Sequence, residues 1–307
     1  MSEHHDHDEG HDGGLAKDLE VIGRIMARRR ALGLLAGVGT VGLLSGCGGS
    51  GSSSGTTSST TTTTTTGNST GTTTTTTPTP SPTPTSSGTC VTIPGETAGP
   101  YPGDGTNTSQ GSTSNVLTAS GIVRSDIRSS FLTTSTVAGG TLVTLTLTIV
   151  DVNSSCGPLA GYAVYLWHCD RGGNYSLYSG ATTESYLRGV QVTNSAGQVT
   201  FTTIYPACYS GRFPHMHFEV FSSLANATSG RFAVLTSQLA MPAAASAAVF
   251  ADTTLYPGSA SRSASITLSN DGIFGDNTSA QNTAMTPTYS GSPSAGYTMA
   301  ATIGIAR

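Results

Sequence analysis

Charge is scarce in this sequence: only 10% of its 307 residues are charged, and the net charge is −4. No basic stripe follows residue 30, so we expect no nucleic-acid partner. Long apolar runs are also missing. The run at residues 31–44 is shorter than the roughly 20 residues that a membrane-spanning helix needs. The sequence is instead rich in small residues, including 39 glycines.

Residues 1–47 have the pattern of a leader and signal peptide. Three arginines at residues 28–30 precede the apolar run, an order typical of secretory signals, and paired arginines suit the twin-arginine type. Residues 44–47 (LSGC) resemble a bacterial lipobox, which implies cleavage before Cys47 and a lipid on its thiol. An ordinary signal peptide with an unrelated cysteine is the alternative. We therefore expect an exported protein, either a cell-envelope lipoprotein or a secreted one, with no other membrane contact.

Residues 48–89 consist almost entirely of Ser, Thr, Gly and Pro. Such a segment buries too little apolar surface to offset its conformational entropy, so we predict a disordered linker. One domain remains, at residues 90–307. An even number of cysteines in an exported domain indicates disulfides, with free buried thiols as the alternative, and the pairing is not fixed by sequence. These cysteines are Cys90, Cys156, Cys169 and Cys208.

The pattern of residues 90–307 is that of an all-β domain. Residues 141–152 alternate Leu, Val and Ile with Thr, as a half-buried strand does. Short runs of this kind, separated by Gly, Pro and Asn turns, predict a β-sandwich with irregular loops. The other predicted strands are residues 162–168, 189–193, 198–204, 215–222, 262–268 and 297–305, and one short helix is predicted at 243–251.

The candidate site centres on His215 and His217, which lie at positions i and i+2 of a predicted strand. Residues so spaced project from the same face, so the two imidazoles can hold one metal ion. Two histidines alone suit Zn²⁺ or Cu²⁺. The nearby phenols of Tyr175 and Tyr209 are hard oxygen donors, and no Asp or Glu is well placed, so a ferric ion is favoured over zinc.

Five motifs together resemble the intradiol ring-cleavage dioxygenases, the family of protocatechuate 3,4-dioxygenase and catechol 1,2-dioxygenase. The similarity is greatest to the exported, single-chain bacterial branch and covers residues 90–307. The motifs are residues 96–101 (ETAGPY), 159–176 (LAGYAVYLWHCDRGGNYS), 187–191 (LRGVQ), 209–217 (YSGRFPHMH) and 270–276 (NDGIFGD).

This resemblance implies a prealbumin-like β-sandwich with one non-haem Fe(III) ion per chain. The implied ligands are Tyr175, Tyr209, His215 and His217. Arg212 would bind substrate and stabilise its developing charge, and Tyr209 would leave the metal to accept a substrate proton. The implied reaction inserts both atoms of O₂ into a catechol-type aromatic and cleaves it between the hydroxylated carbons, giving a muconate-type diacid.

The resemblance also suggests residues around the substrate cavity. Tyr101 is expected at its mouth and Gln191 beside it, although a structural hydrogen bond is an equal alternative for Gln191. Trp167 and His168 are expected to serve in packing.

One cysteine pairing is a specific hypothesis. A Cys169–Cys208 disulfide would brace the loops that carry both tyrosines and would leave Cys90 and Cys156 as the second pair.

Two other functions remain open at this point. A β-sandwich of this kind also serves as a non-catalytic surface binding module, and two histidines also suit a copper or zinc enzyme on the same fold. The identity of the catechol is not encoded in any motif. A monomer and a homodimer are both compatible with the sequence.

Overall fold

The computed structural model describes residues 90–109, 112–178 and 180–307. The predicted signal peptide, lipid attachment at Cys47 and linker lie outside the described residues. The strands are β1 (Asp104–Ser109), β2 (Ser112–Asn115), β3 (Leu142–Asp151), β4 (Gly157–Pro158), β5 (Ala163–Trp167), β6 (Arg188–Val192), β7 (Gln198–Ile204), β8 (His215–Phe221), β9 (Leu235–Ala240), β10 (Thr288–Ser292) and β11 (Gly296–Ile305). The helices are α1 (Ala243–Phe250), α2 (Ser259–Ser263) and α3 (Ser279–Met285).

The strands form two main sheets and a separate hairpin of β1 and β2. The larger sheet has five strands in the order β10–β11–β3–β4, with β7 also pairing with β3. Within it β11 and β3 are parallel, whereas the other pairs are antiparallel. The smaller sheet has the order β6–β5–β8–β9 and is antiparallel throughout. The prediction of an all-β sandwich is confirmed.

The core forms because alternate residues of each sheet are apolar. Strand β3 contributes Val143, Leu145 and Leu147, which are fully buried, while the threonines between them lie on the outer face. Met216 and Phe218 of β8 belong to the same hydrophobic core. Burial of such side chains contributes roughly 1.5–3 kcal/mol each to stability.

Strand β8 is buried on both faces, and this decides where the site lies. Every one of its seven residues is buried. Because side chains alternate, His215, His217 and Glu219 face away from Met216 and Phe218. They therefore lie on the outer face of the smaller sheet.

That outer face is covered by residues 93–103, here called the cover segment. Its carbonyl groups accept hydrogen bonds from the smaller sheet: Tyr165 Oη donates to Pro102 O at 2.7 Å and Gln238 Nε2 donates to Thr97 O at 3.0 Å. A Cβ added at Gly99, where φ is +70°, would lie 3.2 Å from Cε1 of His217. The cover segment thus shields the histidine face from water.

The predicted strand at residues 262–268 is wrong. Helix α2 begins at Ser259 and turns follow it. Gly258 O accepts hydrogen bonds from Arg262 N at 3.1 Å and Ser261 Oγ at 2.9 Å, so local bonds replace sheet pairing. The predicted helix at 243–251 is present as α1. None of the helices in the described residues is long and apolar enough to cross a membrane.

The cysteines pair only in part as hypothesised. Cys90 and Cys156 form a disulfide. Cys169 and Cys208 are free and buried, so the hypothesis of a bridge between them is wrong. Their thiols point to different carbonyl groups: Cys169 Sγ lies 3.7 Å from Ala207 O and Cys208 Sγ lies 3.5 Å from Arg212 O.

Candidate active site

The two histidines of β8 meet at their Nε2 atoms, which are 3.2 Å apart. Nδ1 of His215 lies 2.6 Å from Phe213 O, and a carbonyl only accepts, so this nitrogen carries the proton and Nε2 presents a lone pair. Burial lowers the pKa of His215 well below its usual value, and the charge of Arg212 lowers it further. Burial, and next His215, likewise lower the pKa of His217. Both imidazoles are therefore neutral, the form that binds metals.

His217 is held in place by stacking. Its ring lies parallel to that of Trp167, with 5.0 Å between centroids and 9° between planes. The pairing of β5 with β8 sets Trp167 opposite His217 and explains this contact. Nδ1 of His217 is buried with no hydrogen-bond partner in the part of the chain that the structure describes.

The two tyrosines reach the histidines from loops that follow β5 and β7. Tyr209 Oη lies 2.9 Å from Nε2 of His215. The ring of Tyr175 lies 6.0 Å from that of His217 and 6.1 Å from that of Tyr209, measured between centroids. Tyr175 is 3% exposed, whereas Tyr209 is only partly buried. The structure therefore brings all four predicted ligands together.

The Tyr175 loop is shaped by Asp170. Its Oδ1 accepts hydrogen bonds from Gly172 N at 2.8 Å and Asn174 N at 3.0 Å, a local pattern that fixes a turn. Gly173 has a φ of +93° in this turn, a conformation that glycine adopts at little cost. The hydrogen bonds of Asp170 and the conformation of Gly173 thus shape the turn that places Tyr175 at the histidine face.

This donor set fits a cation. Nε2 of His215 has a second imidazole nitrogen and a phenol oxygen within 3.2 Å, and these three donor atoms could be shared by one metal ion. Among the described residues no group of three or more His, Cys, Asp or Glu side chains could hold a metal, so the further donors here are the phenols. Burial raises the pKa of Cys208 to about 12, which makes it a thiol rather than a thiolate ligand.

Arg212 is buried and is held by two side chains. Its Nε donates to Asp271 Oδ2 at 3.0 Å, and its Nη2 donates to Gln238 Oε1 at 2.6 Å. The guanidinium is close enough to Tyr209 and Tyr175 to interact with both electrostatically. Arg212 therefore lies near both phenols, and its role toward a substrate stays a prediction.

Of the two remaining predicted site residues, one reaches the cluster. The ring of Tyr101 lies 5.0 Å from that of Tyr175, so it lines the site. Gln191 lies three residues beyond Arg188 on β6, opposite Val164, and alternation directs it to the other face from His217. Its Nε2 donates to Val190 O at 3.2 Å, the structural alternative named for this residue, and it is not part of the cluster.

His168 takes the packing role expected of it. Its two ring nitrogens hydrogen-bond to Cys169 O at 2.8 Å and Thr203 Oγ1 at 2.7 Å. Burial lowers its pKa to about 4, so it is a neutral structural side chain.

Arg188 is a functional residue that sequence reasoning missed. Its guanidinium is 1% exposed and donates to Tyr101 O at 2.9 Å, Pro102 O at 2.7 Å and Ser176 O at 2.9 Å. It therefore ties the cover segment to the loop that carries Tyr175. Its place in the LRGVQ motif was the available signal.

Gln238 and Asp271, which bind Arg212, were also missed. Asp271 lies in the NDGIFGD motif that the resemblance included, but a motif does not name its partner. No motif marked Gln238.

A buried acid pair lies farther along the same face. Asp104 and Glu219 are each 1% exposed and so close to Gly230 that no side chain fits there. Burial, and next the charge of Asp104, raise the pKa of Glu219 to about 9. The Glu219 carboxyl is therefore protonated at neutral pH.

The fold and this site define a class: a β-sandwich whose covered outer face gathers two neutral histidines, two tyrosines and a buried arginine. Residues 130–242 match the sequence model of a family described as Dioxygenase. The matched segment contains Tyr175, Tyr209, Arg212, His215 and His217.

Solved structures similar to this domain include an intradiol ring-cleavage dioxygenase from Tetranychus urticae, 24% identical, with a TM-score of 0.51 over 71% of this chain and 95% of that chain. A second dioxygenase crystal structure is 24% identical, with a TM-score of 0.52 and the same coverage of both chains. The 3-chlorocatechol 1,2-dioxygenase from Rhodococcus opacus is 15% identical, with a TM-score of 0.42 over 70% of this chain and 72% of that chain. No curated protein matches the sequence.

The predicted resemblance is confirmed at the level of similarity: residues 130–242 match the dioxygenase family model, and the domain has the fold of an intradiol ring-cleavage dioxygenase of known structure.

Proposed function

We propose that this domain is a non-haem Fe(III) intradiol dioxygenase that cleaves a catechol-type substrate with O₂ to a muconate-type diacid. The observation that carries the proposal is the convergence of His215, His217, Tyr175 and Tyr209 on one buried face. Fe(III) bound by these four residues would supply the Lewis acidity that lowers the pKa of a catechol's hydroxyls.

The two tyrosines have different surroundings and, we propose, different tasks. Tyr175 is buried against Tyr101 and His217, so it stays in place. Tyr209 is partly exposed, follows a loop and faces His215, so it has room to move. Tyr209 is therefore the phenol that takes a proton from the arriving substrate.

Arg212 supplies positive charge where the substrate becomes anionic. Its guanidinium is almost completely buried, and in such surroundings a charge acts more strongly than in water. The cover segment, with Tyr101, excludes water from the same space. These residues bind and orient the catechol, and they leave its identity open.

The test is a visible absorption spectrum and a product analysis on the same Fe(III)-loaded protein. We expect a tyrosinate charge-transfer band that shifts when catechol is added, and a diacid product that carries both atoms of isotopically labelled O₂. Tyr175→Phe should weaken the band, whereas the matched control Tyr289→Phe, on β10, should not. The proposal would be overturned if the iron-loaded protein were colourless and its absorption spectrum did not change when catechol is added.

The same experiment separates the other two functions. Neutral imidazoles also bind Zn²⁺ and Cu²⁺, so the metal that co-purifies with the protein is to be measured. A non-catalytic binding module would give a spectral shift with catechol but no product.

We also propose that the domain works outside the cytoplasm, tethered through Cys47. The Cys90–Cys156 disulfide supports this, since structural disulfides persist in oxidising compartments. Labelled fatty acid should be incorporated into the full chain and lost in Cys47→Ala. Labelling that persists in that variant would contradict the anchor.

A further inference from the structure

We propose that Asp271 is the positioning residue for Arg212: it fixes the guanidinium so that one nitrogen, Nη1, faces the substrate. This inference deepens the proposed function and rests on it for its catalytic meaning. Asp271 lies outside the segment matched by the dioxygenase family model, which ends at residue 242.

The contacts of Arg212 define its orientation. Asp271 accepts from Nε at 3.0 Å and from Nη2 at 3.4 Å, and Gln238 accepts from Nη2 at 2.6 Å. Nε and Nη2 are therefore engaged. Among the described residues Nη1 makes no hydrogen bond, so it is the nitrogen available to a ligand.

Asp271 is itself held rigidly. Its carboxylate accepts hydrogen bonds from three backbone N–H groups, those of Phe213 at 2.7 Å, Ile273 at 2.8 Å and Phe274 at 3.0 Å. The side chain is completely buried, so water does not compete for it. An anion fixed by three amides gives the arginine a partner that does not move.

The hydrogen bond from Phe213 N to Asp271 links Asp271 and Arg212 to the candidate metal ligand His215. Phe213 follows Arg212 in the chain, and its carbonyl oxygen accepts from Nδ1 of His215. Asp271 thus fixes both the side chain of Arg212 and the backbone that sets the tautomer of His215.

Charge explains why the partner is needed. The phenols of Tyr209 and Tyr175 attract the same guanidinium. Asp271 binds Nε and Nη2 of the same guanidinium, so two of its three nitrogens are held by a fixed carboxylate rather than by the phenols.

The test compares Asp271→Asn with Asp276→Asn, a matched change at an exposed position of the same motif. In the metal-free full chain, the NMR resonance of the Arg212 Nε–H group, assigned by its loss in Arg212→Lys, should shift in Asp271→Asn and not in the control. An unchanged resonance would overturn the inference whatever reaction the protein catalyses.

In the Fe(III)-loaded enzyme, Asp271→Asn should lower kcat/KM for catechol by about 100-fold, the cost of a displacement of roughly 1 Å. In an Arg212→Gln background the same change should have little further effect, because both residues act through one group. Additive losses would show that Asp271 acts independently of Arg212 and would contradict positioning.

If Asp271→Asn does not fold, Asp271→Glu keeps the charge and lengthens the side chain by one methylene. We expect it to shift the Arg212 resonance and to lose activity, and full activity would overturn the inference. If the wild-type protein does not cleave catechol, the proposed function is wrong. The NMR comparison still shows whether Asp271 positions Arg212.

Discussion

Side chains alternate between inner and outer faces in both sheets of the sandwich, but the outer face of one sheet is exposed and that of the other is buried. On the larger sheet the outer face carries threonines, such as Thr146 and Thr200, whose hydroxyls lie 3.0 Å apart in contact with solvent. On the smaller sheet the equivalent positions of β8 hold His215, His217 and Glu219, all buried. The cover segment makes the difference.

Covering a polar face changes its chemistry. Burial lowers the pKa of both histidines and raises that of Glu219, so each of these side chains is neutral where water would leave them charged or mixed. The exposed threonines face water and need no such adjustment. The cover segment thus sets the protonation state of the polar residues beneath it.

The largest effect is expected from breaking the histidine pair. His217→Ala removes a proposed ligand, so iron affinity should fall by more than about 100-fold, beyond what loss of an outer-shell partner costs. Iron content after dialysis, measured by atomic absorption, checks this. Thr146→Ala, on the exposed face, is the control and should keep its iron. An unchanged iron content in His217→Ala would show that His217 is not a metal ligand.

Detaching the cover segment should be the next largest effect. Arg188→Met leaves Tyr101 O and Ser176 O without their buried donor and removes one of the two donors to Pro102 O, which should cost about 3–5 kcal/mol of unfolding free energy. Urea denaturation measures it. The surface change Arg128→Met, which loses only an exposed ion pair with Asp126, should cost less than about 1 kcal/mol. Equal losses would show that Arg188 is not the anchor.

The disulfide should have a smaller effect. It joins residues 66 apart in the chain, and replacing Cys90 and Cys156 by Ser should lower the unfolding free energy by about 2–4 kcal/mol. The variant without the disulfide serves as the contrast, because the thiols of Cys169 and Cys208 are already free. A reducing agent should lower the thermal unfolding temperature of the wild type and leave that of the variant unchanged. No response in the wild type would count against a stabilising bridge.

Glu219 should give a modest dependence of stability on pH. Its pKa is about 9 in the folded chain against 4.5 for an ordinary glutamate, so the folded state keeps a proton that the unfolded state releases. Stability should therefore fall as pH rises, by up to about 1.4 kcal/mol per unit. Metal-free protein at pH 7 to 8.5 avoids the titration of histidines, and Glu219→Gln should flatten the slope. Identical slopes would show an ionised Glu219.

The covered face was predictable where its residues follow one strand or one motif. His215 and His217 are two residues apart on one strand, which predicts that they face the same side. Tyr175, Tyr209 and Arg212 belong to motifs that resemble one family. Helix α1 and most strands followed from alternation and turns.

The partners of these residues were not predictable, because they come from distant parts of the chain. Arg188 binds the backbone carbonyl of Tyr101, 87 positions away, and Arg212 binds the carboxylate of Asp271, 59 positions away. No local pattern encodes such pairs. The parallel pairing of β11 with β3 and the separation of Cys169 from Cys208 depend on the same long-range packing, which alternation does not specify.

The disulfide at Cys90 has a consequence for how the cover segment can open. Cys90 lies three residues before this segment, and its bond to Cys156 fixes the chain close to the point where the segment begins. At the other end of the segment, Arg188 holds Tyr101 O and Pro102 O. The segment is therefore anchored at both ends. An opening over the histidine face must form between these two anchors, as an outward bulge rather than as the release of one end.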